Sequence, residues 1–308
     1  MDETINMNFP DLEGKEYETL FIIGNGFDLY HGLDSSYDDF RCWLKQNGHK
    51  NFVKMMETMF PKVVDNQNLL WMDFEAALGT YDPLAIHDKF GPHFDDGMFD
   101  EAKQKKAIDK IAPTLSNIKP LLSEWASKLT DRISASTVKK LPLRKESRYI
   151  TFNYTSVLED FYGIPSDNIL HVHGSVAGSD DIVVGHNRTI KPDGIVKGDY
   201  QNMKISVGYI VEAMNKLYKN VHKIQEAKFD FFNELYDISR VVVLGHSLSP
   251  IDMYYFTCSV KGVEDGTHWH FSAHTEKSVA RVCEVMDNYN NKEFKNKMEK
   301  ENCWIFNF

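Results

Sequence analysis

Five short stretches place glycine, histidine, asparagine or carboxylate where a chain could meet a ligand. They are Gly24-Asn25-Gly26-Phe27-Asp28, residues 151–155, His173-Gly174-Ser175, Gly185-His186-Asn187 and residues 245–252. Histidine titrates near neutrality, which suits His173 to act as a base toward water or a sugar hydroxyl. Asn153 can both donate and accept, so it can hold a hydroxyl or an incoming water. Asp28 can accept from sugar hydroxyls or stabilise a developing positive charge. In residues 245–252, Gly245, His246 and Ser247 form a small turn, and Ser249, Pro250 and Asp252 read as a helix start. A turn of this kind directs free backbone N–H groups and a helix dipole at one spot, so together the stretches suggest a nucleotide site.

Such turns need strands in front of them. Leu20-Phe21-Ile22-Ile23 and Val241-Val242-Val243-Leu244 read as strands buried on both faces, as in parallel sheets. Further strands are predicted at 148–153, 169–173, 181–184 and 268–272, with a last apolar run at 304–306. Ser36 and Asp39 resemble a capping pair. Helices are predicted at 52–60, 71–78, 101–111 and 120–138, with 80–92 as loop. Further helical stretches are predicted at 206–235, at 275–287 and through Lys300. Strands alternating with helices predict one α/β domain over residues 1–308, Rossmann-like and mainly parallel. About a hundred helical residues are too many for one crossover. A helical insertion is therefore expected near 35–145 and a second near 190–235.

The chain has 308 residues and a formal net charge of −10, which argues against a nucleic-acid binder that relies on overall basicity. Cys42, Cys258, Cys283 and Cys303 are not paired at short spacing, so neither a zinc ribbon nor a disulfide framework is read. No secretory pattern opens the sequence and no apolar run approaches twenty residues. A cytoplasmic protein away from the membrane is expected.

Phe21-Ile-Ile-Gly-Asn-Gly-Phe-Asp-Leu29, with Phe152-Asn-Tyr-Thr155, His171-Val-His-Gly174 and Gly245-His-Ser-Leu248, resembles the AbiH family of bacterial phage-abortive-infection proteins. In order, the motifs are also similar to those of sirtuin-like NAD-binding domains. The resemblance covers about residues 18–273. It implies a sirtuin-like fold and a site for NAD, as substrate or ligand. Gly24, Asn25 and Gly26 would hold the pyrophosphate, Asn153 would lie by the nicotinamide ribose, and His173 would face the ribose hydroxyls as general base. Gly245 and Ser247 would contact the phosphates or the adenosine end. Phe27, Asp28, Thr155, Gly174, Gly185, His246 and Asp252 complete the expected ligand-binding set. Thr155 stands where sirtuin deacylases carry an acid, and no four-cysteine zinc module is present, so lysine deacylation is not expected. The resemblance implies NAD hydrolysis to nicotinamide and ADP-ribose in anti-phage abortive infection. Unregulated NAD loss would kill the host, so an off state is expected, enforced by the helical insertion or by homo-oligomerisation and ended by a protein trigger.

Other readings of the same residues remain open. The site could bind a nucleotide or an ADP-ribose-type signal without cleaving it. A serine hydrolase could use Ser247, Asp265 and His274, although the elbow motif wants glycine where Ser249 stands. His171 is expected to be structural, and His186 could orient a loop. The His171/His173 and His268/His270 pairs lack third and fourth ligands at telling positions, so no metal is expected.

Overall fold

The computed structural model describes residues 5–6, 9–15, 17–64, 66–92, 100–133, 138–178, 181–191, 195–196, 201–289 and 294–307. The chain divides into two compact units. The first comprises Met1–Ser35, Ala126–Ile182 and Val221–Phe308; the second comprises Ser36–Trp125 and Val183–Asn220. Residues 126–145 and 221–235, expected within the insertions, thus belong to the first unit. Among the described residues no helix is long and apolar enough to cross a membrane.

The strands in chain order are β1 (Ile5–Asn6), β2 (Thr19–Ile23), β3 (Val63–Val64), β4 (Gln67–Asn68), β5 (Arg148–Thr151), β6 (Ile169–His171), β7 (Arg240–Leu244), β8 (His268–Ser272) and β9 (Cys303–Phe306). Seven of them form a parallel sheet in the first unit, in the order β1-β9-β8-β7-β2-β5-β6. From β2 the chain first winds outward through β5 to β6, then returns and winds the other way through β7, β8 and β9. That is the doubly wound order of Rossmann-like folds, with its switch point between β2 and β7. Each residue of Ile22 and Ile23 lies beside its partner in β7, Val243 and Leu244.

Alternation along the central strands gives the sheet two apolar faces. Leu20, Ile22, Ile150, Val241 and Val243 join one core. Helix Met253–Gly262 contributes Tyr255, Phe256 and Val260 to it, and helix Glu276–Tyr289 contributes Val282, Val285 and Met286. Phe21, Ile23, Tyr149, Val242 and Leu244 join the other core with Phe27, Val157 and Leu158. A strand buried on both faces needs apolar residues at consecutive positions, which is why these runs do not alternate with polar ones.

Among the described residues the second unit consists of helices and loops, with the β3–β4 hairpin and one isolated bridge between His186 and Tyr218. Ser36 and Asp39 form the predicted capping box ahead of helix Tyr37–Gln46. Phe40, Trp71, Phe74 and Trp125 make its aromatic core, with the Phe40 and Trp125 ring centroids 5.0 Å apart.

Several local expectations need correction. Residues 181–184 are not a strand; a short apolar run carries no signal for the partner edge that a strand requires. Residues 80–92 contain helix Pro83–Phe90, because Asp82 caps Leu84 and Ala85 and Pro83 occupies the first turn. Pro and Asp start that helix instead of breaking it. β6 stops at His171, and residues 172–173 turn. The helix predicted to begin at Ser249 begins at Met253, with Asp252 as its N-cap residue. Residues 294–297 are turns where a helix through Lys300 is predicted, while 290–293 lie outside the described residues.

Gly245 has φ +61°, and a Cβ there would sit 2.4 Å from the Phe27 nitrogen. Gly266 has φ +76° with nothing within 4 Å of the same position. Gly266→Ala should therefore cost only the left-handed backbone term, about 1–2 kcal/mol. Gly245→Ala adds an overpacking clash of roughly 1–3 kcal/mol. Urea unfolding of the two variants checks this, and equal losses would refute the steric account.

Candidate functional site

The turns after β2 and β7 meet backbone to backbone at the carboxyl edge of the sheet. Gly24 N–H donates to Leu244 O at 2.9 Å and Gly26 N–H to Gly245 O at 2.8 Å. A Cβ on Gly24 would fall 2.5 Å from His246 Cα, and one on Gly26 would fall 2.7 Å from Gly245 Cα. Ser272 at the end of β8 accepts from Gly245 N–H at 2.8 Å. The glycines are thus needed for the approach of two loops, and the Gly24 and Gly26 amides are occupied by protein carbonyls. These two amides are therefore not the groups that would donate to a pyrophosphate held by this turn. The side chains on the outer surface of the two turns are Asn25 and Ser247, both exposed. Phe27 points the other way, buried in the core 4.5 Å from the His31 ring and 5.7 Å from the Tyr162 ring, so it packs instead of contacting a ligand.

One turn further, Asp28 is 2% exposed. Its Oδ1 accepts from Asn153 Nδ2 at 2.9 Å and its Oδ2 from Thr155 Oγ1 at 2.7 Å. Asn153 Nδ2 also donates to Gly24 O at 3.2 Å, and the Asn153 N–H donates to Thr151 Oγ1 at 3.1 Å. Three of the predicted residues therefore form one buried network that ties the end of β5 to the turn after β2. Burial pushes the Asp28 carboxyl up to about 6 despite the Thr155 and Asn153 hydrogen bonds and the nearby His171. Desolvation wins because, among the described residues, no lysine or arginine forms an ion pair with this carboxylate.

A second cluster forms where the turns after β6 and β7 meet helix Met253–Gly262. His173 Nε2 lies 3.5 Å from Asp252 Oδ1, and His246 Nε2 lies 4.0 Å from Asp252 Oδ2. Asp252 is the N-cap residue of that helix but its side chain makes no cap hydrogen bond there. Its carboxylate faces the two imidazoles instead, in the positive field of the helix start. Phe152 stands edge-on to both rings, 5.4 Å from His173 and 4.3 Å from His246, and Tyr255 lies 6.0 Å from His173. The aromatic wall dries the cluster, and burial pushes His246 down to about 4.

The remaining predicted residues separate. Gly174 supports the His173 turn: at φ +75° a Cβ would meet Asp181 O at 2.5 Å. Gly185 lies in the second unit, where its N–H donates to Glu75 Oε1 at 3.2 Å beside Lys219, whose Nζ is 3.0 Å from Glu75 Oε2. Burial raises the Glu75 carboxyl above its usual range there. His186, fully buried in the same unit, lies 3.0 Å from Met214 O and is a structural histidine. His171, expected to be structural, lies 2.8 Å from Glu159 Oε1 and 3.2 Å from Asn153 O.

The serine-hydrolase triad is not assembled. Ser247 follows β7 at the carboxyl edge, whereas Asp265 precedes β8 at the opposite edge and pairs with Lys297 at 3.1 Å. Five residues of strand separate the two edges, about 16 Å. His274 is hydrogen-bonded to Asn307. His268 and His270 flank Trp304, with ring centroids 5.2 and 5.0 Å away.

Two residues of the neighbourhood escaped sequence reasoning. Ser272 caps the Gly245 amide, and Arg281 donates to Leu248 O through Nε at 2.9 Å and Nη2 at 2.7 Å. Both sit on elements distant in sequence from the turns they hold, and no local spacing signals either.

A family model described as bacteriophage abortive infection AbiH matches residues 20–273, and the chain belongs to that family. No curated protein and no solved structure matches the chain.

The Asp28 network makes a pH-dependent prediction. The folded carboxyl holds its proton up to about pH 6, whereas an ordinary aspartate releases it near 3.8. The folded state therefore carries the extra proton across that window, and stability falls as pH rises through it, by on the order of 3 kcal/mol. Asn at position 28 can accept from Asn153 and donate to Thr155 Oγ1, so Asp28→Asn should fold. Relative to wild type, it should gain stability between pH 4 and pH 7 in urea titrations. A constant difference across that range would refute the buried-carboxylate account.

Proposed function

We propose that this AbiH-family protein acts in phage abortive infection by hydrolysing NAD to nicotinamide and ADP-ribose. The observation that carries the reading is His173 facing the Asp252 carboxylate at 3.5 Å, at the carboxyl edge of a doubly wound sheet. Ligands of such sheets bind at that edge, near the switch point. A carboxylate beside one imidazole nitrogen draws the proton to that nitrogen and leaves the lone pair on the other, which is the arrangement of an oriented base.

The reaction makes modest demands. The bond from ribose C1′ to the pyridinium nitrogen breaks, and nicotinamide leaves with the electron pair. Water forms the new C1′–O bond and loses a proton, which His173 accepts and returns to solvent. Asn153, its amide N–H groups held by Asp28 and Gly24 O, offers its carbonyl oxygen to orient that water. The Asp28 charge, buried without a lysine or arginine ion pair, favours the cationic centre of substrate and transition state. Phe152 and Tyr255 exclude bulk water. With the Gly24 and Gly26 amides occupied, the dinucleotide phosphates are assigned to the outer surface of the turns, at Asn25 and Ser247.

Purified protein should release nicotinamide from NAD. His173→Ala and Asn153→Ala should lower kcat by about 100-fold or more while their melting curves stay cooperative. Melting of the wild type with and without NAD separates the outcomes. A shift without release would make the protein a nucleotide-binding module, and neither shift nor release would end the NAD reading.

A further inference from the structure

The proposed base is held by a chain of contacts that begins on a different helix. Leu248 is buried and adopts φ +53°, a left-handed conformation that a branched side chain resists. Both the Nε and Nη2 of Arg281 donate to its carbonyl oxygen, at 2.9 and 2.7 Å. Arg281 Nη1 is itself anchored 2.7 Å from Glu284. So held, the Leu248 N–H donates to His246 Nδ1 at 2.8 Å.

This last bond determines a tautomer. A ring nitrogen that accepts from a backbone N–H must carry its lone pair, so the proton of the neutral imidazole resides on Nε2. His246 is neutral at pH 7, because burial pushes it down to about 4. Its Nε2–H is the side that faces Asp252 Oδ2, at 4.0 Å, while Asp252 Oδ1 faces His173 Nε2 at 3.5 Å. The same tautomer prevents His246 Nε2 from serving as a metal ligand, because that nitrogen has no lone pair to give.

We propose that Arg281 and His246 are positioning residues for His173: Arg281 fixes the Leu248 turn, the turn fixes the His246 tautomer, and the Nε2–H dipole of His246, 4.0 Å from Asp252 Oδ2, acts electrostatically on the carboxylate that faces His173. The consequence for turnover rests on the NAD-hydrolase reading. The tautomers themselves do not. An arginine is suited to the task because its rigid fork can place two donors on one oxygen, which a lysine cannot reproduce.

Nitrogen NMR of the full chain labelled in histidine tests this directly, with His246→Gln and His173→Gln used for assignment. At pH 7.5, wild-type His246 should be the Nε2-protonated tautomer. Arg281→Gln should convert His246 into a mixture of tautomers and shift the His173 ring nitrogens. Arg281→Lys should give an intermediate spectrum. Where NAD is turned over, Arg281→Gln should lower kcat about 10-fold with KM little changed. An Nδ1-protonated His246 in the wild type would overturn the proposal without any variant. So would an Arg281→Gln spectrum unchanged at His246 and His173. Intact tautomer coupling with no nicotinamide release would leave the contact chain standing and reject only the NAD reading.

Discussion

The interaction on which the site depends is the backbone contact between the turns leaving β2 and β7. Two adjacent parallel strands end together, and their continuations must diverge without colliding. Gly24, Gly26 and Gly245 leave no Cβ in the gap, and hydrogen bonds from Gly24 N–H to Leu244 O and from Gly26 N–H to Gly245 O close it. Everything beyond the gap inherits its position. The β2 turn delivers Asp28 to Asn153 and Thr155, and the β7 turn delivers His246 and Leu248 to Asp252 and Arg281.

Two buried carboxylates divide the electrostatics between them. Asp28 is satisfied by neutral donors and remains costly to ionise, which raises its proton affinity. Asp252 sits at a helix start and faces two imidazoles, with its carboxylate in the field of the helix N-terminus. The contrast follows from the elements that carry them. Asp28 lies inside a short helix against the sheet, whereas Asp252 precedes a ten-residue helix whose N-terminal field it meets directly. The carboxyl edge thus brings together one buried carboxylate held by neutral donors and one that faces two imidazoles.

Much of the architecture is readable from residue patterns. The consecutive apolar residues of β2 and β7 mark strands buried on both faces, and the capping pair Ser36/Asp39 marks a helix start. Pattern and structure diverge where one residue type serves two purposes. Asp82 and Pro83 suit both a loop and a helix N-terminus, and here the Asp82 cap on Leu84 and Ala85 and the burial of Ile86 make them a helix start. The apolar run at 181–184 suits a strand, but a strand exists only if an edge is there to receive it. Glycine is ambiguous in the same way: its absent side chain serves close approach to a phosphate and close approach to another loop equally well.

The amino-acid sequence by itself determined the fold class, the family and the set of strand ends from which site residues would come, because periodicity, turn chemistry and ordered motifs are local properties. It also placed Asn153, His173, Asp28 and Asp252 among the candidates. Only the tertiary structure decided how they are grouped: Asn153 and Thr155 hold Asp28, whereas His173 and His246 share Asp252. It also moved Phe27 into the core, gave the glycine amides to protein carbonyls, separated Ser247 from Asp265 and brought Arg281 to Leu248. Those outcomes depend on distances between segments far apart in the chain, set by the order and register of strands in the sheet, which no spacing within a single segment can encode.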